Sequence, residues 1–290
     1  MSVDVLQEKI RKMKNPTMLQ RDCSPMEVPM EYLQQAASQA QACESWFEAL
    51  LTELKDQIPA VRVSFSSFAL LGPEGLELLP KLLKLAQSLN YYVVLDAPQI
   101  LSPAMAKQTA EVLFSKNSPY CFDGLILSAY LGSDILKPFL PLAKRDRKEL
   151  FVVCRTANKS ASELQDLLTG TRVVHMAAAD HVNRYGGLQG KNGYYATGIV
   201  AAASAAESLR MLRATYPQLF MVLDGSDYPN ANARNCSFAF DQFGHGAVAC
   251  AGHVITAAHL KQEDGGDPME AAKAAAERVR KNLTRYVSIL

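Results

Sequence analysis

Short apolar runs alternate along the chain with longer segments in which apolar residues recur every three or four positions. Short runs rich in Val, Ile, Leu, Phe and Tyr are typical of buried parallel strands, whereas the longer pattern is typical of amphipathic helices. The pattern predicts eight strands, at 17–22, 60–65, 91–97, 121–128, 150–156, 194–203, 219–225 and 246–253.

Helical segments follow these strands. The segment 73–90 is predicted to bury an apolar stripe of Leu76, Leu79, Leu82, Leu83 and Leu85, and 268–283 closes the chain as a helix. Eight strands with following helices predict an α/β fold, a closed (β/α)8 barrel formed by one domain over residues 1–290. An open doubly wound sheet is the alternative, because a count of strands does not prove closure. Two segments, 26–59 and 157–193, are longer than a bare barrel needs and are interpreted as elaborations.

Composition narrows the classes of protein. Of 290 residues, 49% are hydrophobic and 20% charged, which is enough apolar material for a full core and excludes a disordered chain. The net charge is +1, and no block of like charges favours nucleic acid or an acidic membrane as a partner. No apolar stretch resembles a signal peptide or a bilayer span, so a cytoplasmic protein is expected.

Six scattered cysteines contain no CxxC pair, so we expect reduced thiols. No metal-binding motif is found either, and no metal site is predicted.

Polar residues end most of the predicted strands. Catalytic groups of (β/α)8 barrels lie at the C-terminal ends of strands, so these residues form the candidate site. They are Asp22, Arg62, Ser64, Asp96, Ser128, Arg155, Thr156, Ser204, Asp224 and His253. Carboxylates and guanidinium groups around one rim could position an anionic, hydroxyl-bearing ligand. The alternative is that they pair with one another and only satisfy the rim.

The order of segments resembles the longer bacterial branch of the orotidine 5′-phosphate decarboxylase family from end to end. The most specific matches are AYLGSD at 129–134 with KPF at 137–139, and R-T-x-N at 155–158 followed by SELQDL at 162–167. The resemblance implies a dimeric (β/α)8 barrel that removes CO₂ from orotidine monophosphate to give UMP, in pyrimidine biosynthesis, without any cofactor.

The family's catalytic array consists of Lys, Asp, Lys and Asp, with a D-x-K-x-x-D motif at the third strand. In this chain Asp96 is present, but Pro98 occupies the position of the proton-donating lysine and Leu101 that of the aspartate contributed by the partner subunit. Arg62 stands in place of the first lysine. Proline and leucine carry no ionisable group, so the resemblance implies a barrel that has lost its general acid.

The family's ligand-holding positions differ as well. The resemblance places a phosphate-binding loop at 224–230 and a phosphate-binding arginine at the position of His253. Asp224 and Asp227 would repel a phosphate dianion, and Pro229 removes a backbone donor. Asp22 matches the family's ribose-binding aspartate.

Three hypotheses follow. The first is a decarboxylase-like barrel without decarboxylase activity, which acts as a binding or regulatory pseudoenzyme and forms a homodimer, or a heterodimer with a related barrel. The second is an enzyme that acts on a different small polar ligand at the barrel rim, with His253 as the acid or base. The third is orotidine monophosphate decarboxylation, a lyase reaction, by a rearranged site in which Lys107 or Arg62 replaces the missing lysine.

Overall fold

A ring of parallel strands forms the centre of the protein. The computed structural model describes residues 2–22, 24–128, 130–187, 189–227, 231–262 and 265–290. Within these residues the barrel has eight strands, called here the first to the eighth in chain order. They are Thr17–Arg21, Ala60–Ser64, Tyr92–Asp96, Gly124–Ser128, Glu149–Val153, Thr197–Ala202, Met221–Asp224 and Ala247–Ala251.

The ring is closed by the first strand. Met18 pairs with Ala60 of the second strand and with Cys250 of the eighth, and both pairings are parallel. This confirms the predicted (β/α)8 barrel and excludes the open doubly wound sheet. Each predicted strand is present, and the ends differ by a few residues. The fourth strand begins at Gly124 and not at 121, and the preceding Asp123 accepts the backbone N–H of Val93 with its side chain, at 2.8 Å.

Helices surround the barrel. The α-helices are Ser2–Met13, Met30–Gln35, Gln39–Leu54, Phe65–Ala69, Gly72–Ser88, Pro103–Leu113, Ser133–Leu136, Leu140–Asp146, Val174–Arg184, Ala206–Thr215, Ala233–Ser237, His253–Thr256 and Pro268–Thr284. Short 3₁₀ turns cover Pro25–Glu27, Lys159–Glu163 and Ala258–Lys261. Several starts follow capping chemistry: Ser102 accepts the N–H of Met105, and Asp267 accepts that of Met269. A proline opens both of these helices.

The helix Gly72–Ser88 corrects one detail of the prediction. It buries Gly75, Leu78, Leu79, Leu82, Leu83 and Ala86. Leu76 is instead 39% exposed and Leu85 is half-buried. A rotation of ~100° per residue places both leucines at the edges of the face centred on Leu79 and Leu82, so the predicted stripe was too wide.

The two long segments contain their own secondary structure. Residues 26–59 include the helices Met30–Gln35 and Gln39–Leu54, whose Trp46 and Phe47 are fully buried. Residues 157–193 include a 3₁₀ turn, a small antiparallel hairpin of Leu168–Thr169 with Arg172–Val173, and the helix Val174–Arg184.

The N-terminal helix Ser2–Met13 covers one end of the barrel. The backbone N–H of Val3 donates to Glu149 Oε2 at 2.9 Å, and Gln7 Oε1 accepts the N–H of Gly246 at 3.0 Å. Glu149 begins the fifth strand, so this end, called here the floor, holds the N-terminal ends of the strands. The opposite end, the mouth, holds their C-terminal ends.

Two further observations concern the cysteines and the length of the helices. Cys43, Cys121, Cys154, Cys236 and Cys250 form no disulfide among the described residues. In the same part of the chain, no helix combines the length and the apolar character needed to cross a bilayer.

Candidate functional site

A charged cluster spans the mouth of the barrel. Arg62 donates from Nε and Nη2 to Asp96 Oδ2, at 2.9 and 2.8 Å, and from Nη1 to Asp224 Oδ1 at 2.7 Å. Asp96 ends the third strand and Asp224 ends the seventh, and the seventh strand does not neighbour the second. The Arg62 side chain therefore crosses the mouth and connects two distant parts of the rim.

The register of the strands explains this reach. Ser64 pairs with Asp96, so Arg62 lies two residues deeper in the barrel than the carboxylate that it binds. Its long side chain extends from the second strand toward the rim. Gln20 of the first strand accepts from Arg62 Nη1 with its Oε1, at 3.4 Å. The Nε2 of Gln20 donates to Asp22 Oδ2 at 3.1 Å. We call Gln20, Asp22, Arg62, Asp96 and Asp224 the mouth cluster; Asp22 is its exposed member.

Opposite charges decide the protonation of Arg62. Burial alone would lower its pKa, but Asp96 and Asp224 outweigh burial and hold the pKa of the guanidinium well above its ordinary value. Burial raises the pKa of Asp96, and Arg62 opposes that rise. Arg62 is thus a permanent cation that cannot deliver a proton near neutral pH. In this part of the mouth, two carboxylates thus share one guanidinium group.

The position that follows the third strand has no amine. Pro98 is half-buried two residues after the strand ends, and Leu101 is 68% exposed to solvent. Lys107 lies on the exposed face of the helix Pro103–Leu113. Among the described residues, the ion pairs of Asp96 and Asp224 are those with Arg62 alone.

A carboxylate already occupies the backbone donors that follow the eighth strand. Asp227 Oδ2 accepts the N–H of Gly252 at 2.9 Å and lies 3.5 Å from the N–H of Val254. Backbone N–H groups at such a turn are the donors that a bound phosphate would need. The sequence predicts that Asp227 repels a phosphate. In the structure its carboxylate also accepts from the backbone N–H groups to which a phosphate would bind. Pro229 lies outside the described residues.

Arg155 and Thr156 belong to a separate network. Arg155 forms a bidentate pair with Asp166, with both N–O distances at 2.9 Å, and His175 Nδ1 lies 3.1 Å from the same carboxylate. Thr156 exchanges hydrogen bonds with Gln165, each at 2.8 Å. These contacts attach the segment after the fifth strand to the rim. Arg155 and Thr156, both predicted to bind a ligand, are thus hydrogen-bonded to Asp166 and Gln165.

His253 forms a third network, with a residue that the sequence analysis did not select. Its Nδ1 lies 3.2 Å from Glu27 Oε1, while its side chain is 62% exposed. Glu27 also accepts from Arg21 Nη1 at 3.2 Å and from the Thr256 hydroxyl at 2.5 Å. The carboxylate thus holds one ring nitrogen of His253 and leaves Nε2 for solvent or a ligand.

The structure therefore brings together four of the predicted site residues and separates the others. Asp22, Arg62, Asp96 and Asp224 form one hydrogen-bonded cluster with Gln20. Ser128 is exposed and accepts only the N–H of Tyr130, at 3.4 Å, among the described residues. Within the described ranges, no group of three His, Cys, Asp or Glu side chains could hold a metal ion.

Comparison with known sequences finds relatives that share one name, orotidine 5′-phosphate decarboxylase. No family model matches the chain. The chain is 28% identical over 236 residues to the orotidine 5′-phosphate decarboxylase of Rhodopirellula baltica, covering 78% of each sequence. It is 24% identical over 289 residues to that of Clostridium perfringens, covering 99% of each.

Comparison with solved structures supports the same fold. The Leishmania donovani OMP decarboxylase aligns with a TM-score of 0.73 and 24% identity, covering 97% of this chain and 98% of that one. The Plasmodium berghei orotidine 5′-monophosphate decarboxylase aligns with a TM-score of 0.76 and 13% identity, covering 98% of each chain. Similarity thus extends over nearly the whole barrel, including the strands that carry the mouth cluster.

Proposed function

We propose that this member of the orotidine 5′-phosphate decarboxylase family has no decarboxylase activity and acts as a binding or regulatory protein. The observation that carries the proposal is the mouth cluster, in which Arg62 joins Asp96 to Asp224 and no ammonium group accompanies it among the described residues. Decarboxylation leaves a carbanion that must be stabilised and then protonated, and the raised pKa of Arg62 prevents it from supplying that proton.

The charge of the mouth supports the same proposal. Orotidine monophosphate would bring a carboxylate and a phosphate to a site that already has two carboxylates for one guanidinium. Asp227 also occupies the N–H groups of Gly252 and Val254, which would otherwise be available to a phosphate. Each of these features raises the free energy of an anionic ligand at this site.

The assay is release of CO₂ from orotidine monophosphate by the purified protein, with calorimetric titration of UMP in parallel. We expect no release above background and no tight binding of UMP. The variant Arg62→Lys supplies a titratable amine at the same position of the second strand, so it tests whether the missing amine at this position alone prevents activity. We expect this variant to remain inactive, because Pro98 still occupies the position of the proton-donating lysine. Turnover by the unmodified protein, or growth rescue of a decarboxylase-deficient strain, would refute the proposal.

The partner in this proposal is a second barrel, either another copy of this chain or a related decarboxylase. Large apolar side chains are exposed on the segments that follow the second, third and fourth strands, which are neighbours in the barrel. They are Leu70, Leu101, Met105 and Leu131, with exposed fractions of 88%, 68%, 44% and 50%. Exposed apolar side chains grouped in this way are typical of protein interfaces. Leu101 stands where the family resemblance places the residue that reaches the partner's site.

Light scattering after size-exclusion chromatography tests the association. We expect a dimer for the unmodified chain and a shift toward monomer for Leu101→Lys, because a charge would be buried at the contact. Leu260→Lys is the matched control, since Leu260 is also 59% exposed but follows the eighth strand. A monomeric unmodified protein that also fails to bind an intact relative would contradict this part of the proposal.

The second candidate function is an enzyme that acts on a different polar ligand at the rim. One observation favours it: Asp96 Oδ1 is buried and lacks a hydrogen-bond partner among the described residues, so a ligand N–H or O–H could donate to it. Against it, Arg155, Thr156 and His253 are engaged by Asp166, Gln165 and Glu27 and do not join the mouth cluster. A screen of neutral and cationic polar compounds by thermal shift tests this candidate, with Asp96→Asn expected to abolish any stabilisation.

A further inference from the structure

A largely apolar cavity lies at the floor, at the end of the barrel opposite to the mouth cluster. Its volume is about 700 Å³, and it lies between the helix Leu140–Asp146 and the segment that follows the helix Val174–Arg184. Its apolar walls are formed by Leu140, Pro141, Ala143, Leu150, Tyr185 and Ala196. We call it the floor cavity.

Three cationic side chains line the floor cavity, and two of them have no partner among the described residues. Lys148 donates from Nζ to the carbonyl oxygen of Phe122 and lies 4.6 Å from the centre of the Phe122 ring. Lys144 and Arg147 are exposed, and within the described ranges their side chains form no ion pair and no hydrogen bond. The cavity therefore combines apolar walls with two cations that can bind a ligand.

The backbone of Arg147 gives independent evidence that its side chain has a use. Arg147 ends the helix in the left-handed conformation, with a φ of 54°, which favours glycine. Two other described residues apart from glycine, Lys14 and Asn90, have a positive φ. Lys14 donates to the carbonyl of Ile289 at 2.6 Å, and Asn90 accepts from Lys9 at 2.7 Å, so both use their side chains within the protein. Arg147 makes no such contact among the described residues, which indicates that its guanidinium binds something outside the chain.

We propose that the floor cavity binds a small amphipathic anion, namely a medium-chain aliphatic carboxylate. Burial of the hydrocarbon chain against the apolar walls favours binding, and the carboxylate accepts charge-assisted hydrogen bonds from Lys144 and Arg147. A planar guanidinium matches a carboxylate in particular, because two of its N–H groups can donate in parallel. The volume of about 700 Å³ lies in the range of ~300–1,000 Å³ that is usual for small-molecule sites.

The one carboxyl group of the described lining does not oppose an anion. Glu149 is fully buried, and its Oε2 accepts the N–H of Val3 at 2.9 Å. Burial raises the pKa of Glu149 to about 8, so its carboxyl group is largely protonated at neutral pH. No group of the mouth takes part in this site, which is therefore independent of the proposed function.

Calorimetric titration with sodium decanoate, below its micelle concentration, tests the proposal. We expect saturable binding of one molecule per chain, with hexanoate weaker by up to about fourfold for each methylene group removed. The alcohol 1-decanol has the same chain without the charge and should bind about tenfold more weakly. Ala196→Leu places a larger side chain at the half-buried wall of the cavity and should weaken decanoate by about tenfold.

Arg147→Gly separates a role in binding from a role in stability. Glycine adopts the left-handed conformation without strain, so the variant should melt at the same or a higher temperature. It should nevertheless bind decanoate about fivefold or more weakly, and K144Q/R147Q about tenfold or more weakly. The control K159Q/K261Q removes the same charge from exposed residues that follow the fifth and eighth strands, and its affinity should stay within about twofold of the unmodified protein.

Five outcomes would overturn the proposal. They are no saturable binding of decanoate, equal affinities for decanoate and 1-decanol, an unchanged affinity in R147G, an equal loss in both double variants, and tighter binding to phosphatidylglycerol vesicles than to decanoate. The fourth would show an unspecific charge effect and the fifth a membrane surface. Circular dichroism confirms that A196L is folded, and if it is not, R147G and K144Q/R147Q decide. Failure here leaves the decarboxylation and light-scattering tests unaffected, because those concern residues of the mouth and its rim.

Discussion

The two ends of the barrel each hold a carboxylate that is shielded from solvent, half-buried at the mouth and fully buried at the floor, and they compensate it differently. At the mouth, Asp96 is bound by the guanidinium of Arg62, which also holds Asp224. At the floor, Glu149 is fully buried and accepts one backbone N–H, that of Val3, while its Oε1 has no partner among the described residues. Burial raises the pKa of Glu149 to about 8.

The comparison shows what a counter-ion does inside one fold. Arg62 keeps charge in the mouth at all pH values near neutrality, so the mouth has a fixed electrostatic character. The floor instead exchanges a proton with solvent close to physiological pH, because a single N–H donor does not offset the desolvation of Glu149. The mouth is therefore sensitive to substitution, and the floor is sensitive to pH.

Removal of the guanidinium should have the largest effect. Arg62→Met leaves Asp96 and Asp224 without a counter-ion, and we expect a loss of about 3 kcal/mol in the free energy of unfolding at neutral pH. Urea unfolding measures it. The double variant R62M/D96L should recover part of the loss, because one uncompensated carboxylate is gone. A loss below about 1 kcal/mol would show that water compensates the carboxylates as well as Arg62 does.

Neutralising the floor should have an intermediate effect that depends on pH. The folded protein holds the Glu149 proton up to a pKa of about 8, whereas the unfolded chain releases it near the ordinary value of 4.5. Stability contributed by the protonated form is therefore present below the unfolded pKa and is lost as pH rises toward 8.

Glu149→Gln keeps an acceptor for Val3 and removes this titration. We expect the variant to gain about 1–3 kcal/mol over the unmodified protein between about pH 5 and pH 8. Thermal unfolding across this range measures the difference. Parallel pH curves for the two proteins would mean that Glu149 titrates with an ordinary pKa and that the contrast between floor and mouth is wrong.

The smallest effect should come from the rim next to the eighth strand. Asp227→Ala deprives the N–H of Gly252 of its acceptor, and we expect a loss of about 1 kcal/mol in the free energy of unfolding. Asp227→Asn retains an acceptor oxygen and should lose less, which makes it the matched control. If the two variants are equally stable, the hydrogen bond from the Gly252 N–H to Asp227 contributes nothing to the free energy of unfolding.

The sequence predicts the fold well because strand and helix periods are local. Each of the eight strands is predicted from a short apolar run, and the structure adds the closure, in which Thr17–Arg21 pairs with both its neighbours. Part of the mouth could be predicted for a similar reason. Asp96 and Asp224 end strands, and the rule that barrel sites lie at strand ends selects them together with Arg62.

The partners of the other candidates could not be predicted. Asp166 binds Arg155 from eleven residues along the chain, and Glu27 reaches His253 from the far end of the sequence. These carboxylates lie in a loop and a short 3₁₀ turn, whose path has no periodic signal. The sequence predicts which polar side chains lie at the rim, but not which carboxylates of the connecting segments bind them.

The first strand makes hydrogen bonds to both the second strand and the eighth, so the barrel has no internal boundary at which a part of it could finish folding. During synthesis, residues 17–21 must remain without one of their two neighbours until residues 247–251 have left the ribosome. The earlier strands expose an unpaired edge throughout that time, and such an edge is the usual starting point for association with a wrong chain. Production of this protein should therefore benefit from a chaperone that shields the nascent sheet.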